Sequence, residues 1–429
     1  MKSLLLVAPL VLAVLGLVGC CTLLGTPSDQ VPSGGILRSK KPRVTSPDVA
    51  AADLAELVAG NSAFAFDLYQ TIRGEEGNLF LSPYSISLAL AMTYAGARGD
   101  TEQQMADTLH YSLPQGRLHP AFDALDLELA SRAEGAEGQD GRFRLNIANS
   151  IWGQTGYSFL AQFLDVLAQN YGAGLRVLDF VNEPEDSRVT INDWVSDETE
   201  AKIEDVLPPN SITPSSVLVL TNAIYFNAAW LHPFDEEVTH DGKFNLLDGD
   251  QVTVPMMEQT AYFGYAEGEG YQAVELAYDG QELSMIILLP EAGRFEEFTS
   301  ALDSEAAALI LTDVTPQEVH LSMPRFTYES GFSLKETLAA MGMPAAFARA
   351  DFSGMDGTRS LFIDDVFHKA FVAVDEAGTE AAAATAVVVA RAAFIRPKEL
   401  TVDRPFVFMI RDIDTEAILF LGHVVNPSG

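Results

Sequence analysis

Apolar residues recur at helical spacing between Ala51 and Ile72, where Leu54, Leu57, Val58, Phe64, Phe66, Leu68 and Tyr69 share one side. The pattern predicts one helix, or two pieces broken near Gly60-Asn61. The run Asn78-Leu79-Phe80-Leu81-Ser82-Pro83 then reads as a short strand entering a new helix, with Ser82 as N-cap and Pro83 at the first helical position. Leu88 to Ala97 is small and apolar on all sides, which predicts deep burial. Thr101-Glu102 opens a further helix. Leu145, Ile147, Ile151 and Trp152 mark a strand over 142–152, and helices are expected near Ser158–Tyr171 and Glu185–Thr199 with a strand at Leu175–Phe180 between them. Ser216 to Phe226 is mostly apolar, as suits a strand covered on both faces. Short strands dominate 242–289. Thr299–Leu311 and Ser333–Met341 read as helices, and Val319–Thr327 as a strand. Strand-like runs close the chain at 400–402, 406–410 and 417–425. Helices gathered early and strands gathered late predict an α+β architecture in one large domain, without internal repeats.

One stretch resists this reading. From Asp375 to Phe394 the chain runs through small residues into a β-branched patch, and its alanines favour helix while its threonines and valines favour strand. Taken in alternation, Thr379, Ala381, Ala383, Thr385, Val387 and Val389 form an uncharged set that becomes more apolar along its length. The other set, Glu380, Ala382, Ala384, Ala386, Val388 and Ala390, holds the only charge. A strand with one covered face would show that pattern, and so would a small-residue loop or a frayed helix.

Composition narrows the function classes. The 429 residues are 48% hydrophobic, ample for a large core. The net charge is −34, and residues 1–50 hold five basic and two acidic residues, so the remainder carries −37. That excludes nucleic acid as an expected partner, because its affinity comes from cation–phosphate contacts. Lys2, the apolar run Leu4–Val18 and then Gly19-Cys20 resemble a prokaryotic lipoprotein signal over residues 1–19, cleaved to leave a lipid-modified Cys20. An uncleaved anchor helix and an ordinary secretory signal are the alternatives, and both also place the domain outside the cytoplasm. Cys20 and Cys21 are the only cysteines, so the domain beyond them has no disulfide and no cysteine nucleophile or metal ligand. Residues 20–50, rich in Pro, Ser and Gly and including Lys40-Lys41-Pro42-Arg43, read as a flexible tether before a domain at 51–429.

Nothing in the chain argues for catalysis. The seven histidines stand singly and none has metal-ligand spacing; neither a Gly-x-Ser-x-Gly elbow nor a phosphate-binding loop is present. No cofactor or metal is expected.

Several separated stretches together resemble the serpin family over about Asp53 to Pro427. They are Asn78–Ser87; Thr221-Asn222-Ala223-Ile224-Tyr225-Phe226 leading to Trp230 and Phe234; Val254-Pro255-Met256-Met257; Met323-Pro324-Arg325-Phe326; His368–Ala382; Asp403-Arg404-Pro405-Phe406; and Phe420–Pro427. The resemblance implies helices packed around three β-sheets with an exposed reactive-centre loop, which is the ambivalent stretch. It implies a monomeric inhibitor whose loop is cut by a serine protease and then inserts into the central sheet, trapping the acyl-enzyme. The alternative is a non-inhibitory binding or chaperone protein.

Residue by residue, the resemblance makes Glu376, Gly378, Thr379, Glu380, Ala381, Ala382, Ala383 and Ala384 the hinge. Gly378 would tolerate the bend, Thr379 would be buried on entry, and the alanines would offer little hindrance. Ser82, Ser85, Asn222 and His368 match the polar cluster beneath the opening sheet, and Trp230 the point where its strands first part. Counting seventeen residues from Glu376 places the reactive bond at Ala392–Ala393, which suits elastase-like or subtilisin-like proteases; one residue earlier, Arg391–Ala392 would suit a trypsin-like one. Asn227-Ala228 departs from the family's Lys-Gly and leaves the turn there open.

Overall fold

A computed structural model describes residues 33–132, 144–379 and 396–428. The signal segment, Cys20, hinge residues Glu380 and Ala381–Ala384, and both candidate reactive bonds at Arg391, Ala392 and Ala393 lie outside the described residues. The architecture is the expected α+β arrangement. A seven-stranded sheet has the order Ile36–Leu37, Leu175–Leu178, Arg144–Gln154, Leu218–Ala229, Gly378–Thr379, Ile363–Val374, Phe326–Ser333. The remaining strands form one nine-stranded ladder rather than two separate sheets. The reason is the strand Gln251–Gly268, 18 residues long where short strands were expected. It pairs in succession with His240–Asn245, with Thr315–Pro324 and with Tyr271–Ala277, and so fuses two sheets into one hydrogen-bonded surface.

Local chemistry explains most elements. The helix Pro83–Tyr94 is buried along its whole length, as its all-round apolar sequence predicts, and the Ser82 hydroxyl accepts the Ser85 N–H at 3.3 Å to cap it. The first helix runs unbroken over Ala51–Ile72, through Gly60. The single strand expected at 319–327 is two strands, Thr315–Pro324 and Phe326–Ser333, in different sheets, with Arg325 at the crossing. The helix expected at 299–311 is likewise two, because Asp303 caps the second by accepting the Ala306 N–H at 2.8 Å. The helix Gln115–Ser131 escaped the sequence reading, since Pro120 interrupts its pattern.

The clearest correction concerns residues 33–50, expected as the end of a free tether. They are docked on the body as a strap. Ile36–Leu37 pairs antiparallel with the edge strand Leu175–Leu178. Gly34 donates to Val177 O at 2.8 Å and Val44 to Gln169 O at 2.9 Å. The basic residues that suggested a solvated linker are instead paired: Lys41 with Asp165 at 2.8 Å, and Arg43 with Asp123 at 2.7 Å and Asp126 at 2.6 Å. Asp123 is fully buried. Burial pushes its carboxyl up from the ordinary range, and the Arg43 guanidinium opposes that shift.

Removing Arg43 therefore leaves a buried carboxylate without its cation. Arg43→Ala is expected to destabilise the native fold by about 2 kcal/mol, less than a fully enclosed pair would lose because Arg43 is partly solvated. Adding Asp123→Asn should restore part of the loss. Urea unfolding of the three proteins checks both outcomes.

Candidate functional site

The site lies where two strands of the seven-stranded sheet meet. Leu218–Ala229 and Ile363–Val374 pair in parallel along their lower part, from Ile363↔Leu218 to Phe371↔Tyr225. Above Tyr225 they part, and Gly378–Thr379 sits between them. Gly378 pairs with Ala229 and Thr379 with Ala228, antiparallel, while Thr379 also pairs with Val374. The strand thus continues through Asn227-Ala228 to Ala229, without the turn left open there.

A tight turn brings the hinge back on itself. The Asp375 carboxylate accepts the N–H groups of Ala377 at 2.9 Å and Gly378 at 3.1 Å, and Asp375 N donates to Gly378 O at 2.9 Å. Burial raises the Asp375 carboxyl above its usual range, and those two N–H donors hold it down in part. Gly378 has no positive φ, so its glycine is not needed for a bend. A Cβ there would stand 2.1 Å from Ala228 O, and close backbone approach is the reason only glycine fits.

Around this turn four groups act as a latch. The Trp230 indole donates to Asp375 O at 3.0 Å, and Trp230 N donates to Ala377 O at 2.9 Å. Its ring stacks on Tyr278 at 4.6 Å, and the Tyr278 hydroxyl meets the fully buried Thr379 hydroxyl at 2.8 Å. Glu376, 3% exposed, is ion-paired with Arg325 and accepts from the Thr239 hydroxyl. Its main-chain carbonyl accepts Phe234 N–H at 2.8 Å. Sequence reasoning named Trp230, Glu376 and Thr379 and missed Tyr278, Thr239 and Arg325. Arg325 lay within the quoted Met-Pro-Arg-Phe run, but its partner was not readable from there.

The second cluster sits lower on the same pair of strands and brings together Ser82, Ser85, Asn222 and His368. Asn222 donates to the Ser85 hydroxyl at 2.6 Å and to Asn149, while His368 Nδ1 donates to Asn222 Oδ1. His368 Nε2 accepts Ser82 N–H at 3.3 Å, and the Ser82 hydroxyl donates to Leu419 O at 2.7 Å. Asn149, on the strand Arg144–Gln154, was not foreseen. Both rings of bonds require a neutral imidazole, and burial lowers the His368 pKa to about 3. This cluster ties both parallel strands to the capped end of the Pro83–Tyr94 helix. Trp230 belongs to the latch above, not to this cluster. Among the described residues no group of His, Cys, Asp or Glu is disposed to hold a metal ion, and no helix is long and apolar enough to cross a membrane.

Three buried histidines share this depression: His119 and His423 are also lowered by burial, each to about 4. An unfolded histidine titrates near 6.5, so below that pH the unfolded chain binds protons that the native chain refuses. Their contribution to stability is present above about pH 6.5 and is lost as pH falls toward the folded values. Each histidine is expected to remove up to about 1.4 kcal/mol of stability per pH unit across that window. Urea unfolding stepped between about pH 7 and about pH 5 measures the slope.

Comparison with known proteins converges on one family. The sequence pattern described as Serpin (serine protease inhibitor) matches residues 59–427. An uncharacterized serpin-like protein of Thermococcus kodakarensis is 39% identical over 369 residues, spanning 85% of this chain and 84% of its own. The human leukocyte elastase inhibitor is 38% identical over 389 residues, spanning 87% of this chain and all of its own. Among solved structures, the thermophilic serpin Tengpin in the native state superposes with a TM-score of 0.78 at 28% identity, covering 91% of this chain and 97% of its own.

Proposed function

The chain belongs to the serpin family, and from that premise we propose that it is a suicide-substrate inhibitor of serine proteases. The observation that carries this reading is the half-made seam. Two strands pair in parallel below and part above, and hinge residues Gly378 and Thr379 already lie between them in antiparallel register. Continued without a bulge from Gly378↔Ala229, that register would bring Val389 opposite Leu218. The alternate positions 381, 383, 385, 387 and 389 would then face the core beside Thr379. Thr385 would arrive opposite Asn222, where its hydroxyl meets the polar cluster rather than hydrocarbon.

Insertion separates one parallel ladder and makes two antiparallel ones. The net gain is one ladder of about ten residues, roughly 10 kcal/mol at about 1 kcal/mol per hydrogen bond, with side-chain burial in addition. The uncut loop cannot collect this gain because both its ends are fixed, at Thr379 and at the strand Lys398–Thr401. Cleavage frees one end. The protease serine hydroxyl attacks the carbonyl carbon of the reactive bond, the amine of the following residue leaves with a proton, and the protease stays esterified to the loop. Fast insertion then carries the enzyme away before water can hydrolyse the ester. The native state is thus a kinetic trap rather than the global minimum.

The target class is an elastase-like or subtilisin-like protease if Ala392–Ala393 is the bond, and a trypsin-like one if Arg391–Ala392 is. The small-residue hinge disfavours the alternative of a non-inhibitory binding protein, because Ala381–Ala384 place neither charge nor bulk in the path of insertion. The inhibitor acts as a monomer outside the cytoplasm, held at the membrane by acyl chains on Cys20.

Incubation with pancreatic elastase, subtilisin or trypsin should give a complex that survives SDS, and the released fragment should begin at Ala393. Cleavage with no stable complex would support the binding-protein reading, and a fragment beginning at Ala392 would move the bond to Arg391. Thr379→Arg forces a guanidinium into a fully buried position and should convert inhibition into substrate turnover. Undiminished complex formation by that variant would contradict insertion as the mechanism.

A further inference from the structure

The strap over residues 33–44 is held as a bound peptide would be, although it belongs to the same chain. Its main chain adds to the edge of the seven-stranded sheet. Ile36 and Leu37 pair antiparallel with Arg176 and Leu175, Gly34 donates to Val177 O at 2.8 Å, and Val177 donates to Gly35 O at 3.0 Å. Its side chains then cross to the helices Gln115–Ser131 and Ala161–Tyr171. Arg38 donates to Gly172 O at 2.7 Å, and the Ser39 hydroxyl donates to Asp165. Lys41 and Arg43, two residues apart and so on one side of an extended segment, reach Asp165 and the pair Asp123 and Asp126. Main-chain bonds at a sheet edge, with alternate side chains in separate sockets, are how sheets take extended peptides.

Two features make this seat open to exchange. Between Thr45 and Val49 no hydrogen bond joins the chain to the body among the described residues, so the strap can lift without disturbing the helix that begins at Ala51. The strap also leaves its seat incompletely satisfied. Asp123 is fully buried and its Oδ1 accepts Arg43 Nε, but its Oδ2 has no hydrogen-bond partner among the described residues. A buried acceptor left unpaired is costly, and an occupant with one more donor at that point would bind better than the strap does.

We propose that this groove is a docking site for an extended basic segment of another protein, with residues 33–44 as its resident occupant. The partner carries lysine and arginine at alternate positions, matching Lys41 and Arg43. A net charge of −34 draws such a cation from solution, and the three carboxylates fix its register. The strap of a second copy fits equally well, but it brings no donor to Asp123 Oδ2 that the resident strap lacks. The unpaired oxygen therefore favours a different sequence. The strap also acts as a filter. A tethered segment competes at an effective concentration on the order of 1 mM, so a basic surface without the matching spacing does not displace it.

The test follows the fluorescence anisotropy of a dye-labelled peptide of residues 33–44. Against the unchanged protein the peptide should half-saturate at about 1 mM, the effective concentration of the strap it must displace. Arg43→Ala weakens the resident strap and leaves Asp123 and Asp126 in place, so the peptide, which still carries its arginine, should bind at least about tenfold tighter. Lys41→Glu places two carboxylates together at the partly exposed Asp165 contact, spares the buried pair and should act in the same direction. Adding Asp126→Asn to Arg43→Ala removes a socket that the altered strap no longer uses and should weaken the peptide several-fold. Equal binding of a peptide with the same residues in scrambled order overturns the proposal. So does binding no tighter in the two strap variants than in the unchanged protein. Dimerisation of the protein without peptide, read by light scattering, would assign the groove to a second copy and overturn it as well.

Discussion

Two parallel strands, Leu218–Ala229 and Ile363–Val374, are in contact below and held apart above by Gly378 and Thr379. The proposed function depends on that unfinished seam. Parallel pairing is slightly weaker than antiparallel pairing, and here the strand that could replace it with two antiparallel ladders is covalently attached at the hinge. The buried cluster of His368, Asn222, Ser85 and Ser82 crosses the closed part of the seam with hydrogen bonds that demand a neutral imidazole. The latch of Trp230, Tyr278, Thr239 and Arg325 grips the open part. One cluster bonds the paired strands to each other, and the other bonds the hinge turn to the residues around it.

The two devices differ in chemistry for a physical reason. The lower cluster lies in the path of the proposed inserting strand, so its groups must exchange partners, and hydroxyls, amides and an imidazole can do so without stranding a charge. The upper latch holds the buried hinge carboxylate of Glu376, and there a guanidinium is the appropriate partner. Removing Arg325 would leave that carboxylate buried without its cation, a larger loss than that of a neutral hydrogen bond.

Much of this was legible in the sequence, and what was not has an identifiable cause. The Ser82–Pro83 helix start, the buried helix after it and the polar positions 82, 85, 222 and 368 each carry a local signal, a cap or a motif. Thr379, expected to be buried on entry, is already buried between the two strands, and the rest of the alternation lies outside the described residues. Tyr278, Thr239 and Asn149 gave no local sign, because each is an ordinary residue in an ordinary strand or loop whose role comes from a partner far along the chain. The strap was misread for the opposite reason. Lys41 and Arg43 look like solvated linker residues until Asp165, Asp123 and Asp126 are brought beside them by helices in the body. In a domain with so large an acidic excess, a short basic segment is a ligand for its own fold.

On the proposed mechanism, the uncut fold is not the most stable arrangement this chain can reach. The direct measurement is the thermal unfolding midpoint of the protein before and after its loop is cut by a protease that is not trapped. If the loop completes the seam, the cut protein melts at a markedly higher temperature than the intact one, although it has lost a covalent bond. An unchanged or lower midpoint would mean that the loop stays out of the sheet, and that the seam between Leu218–Ala229 and Ile363–Val374 is already closed as far as it will go.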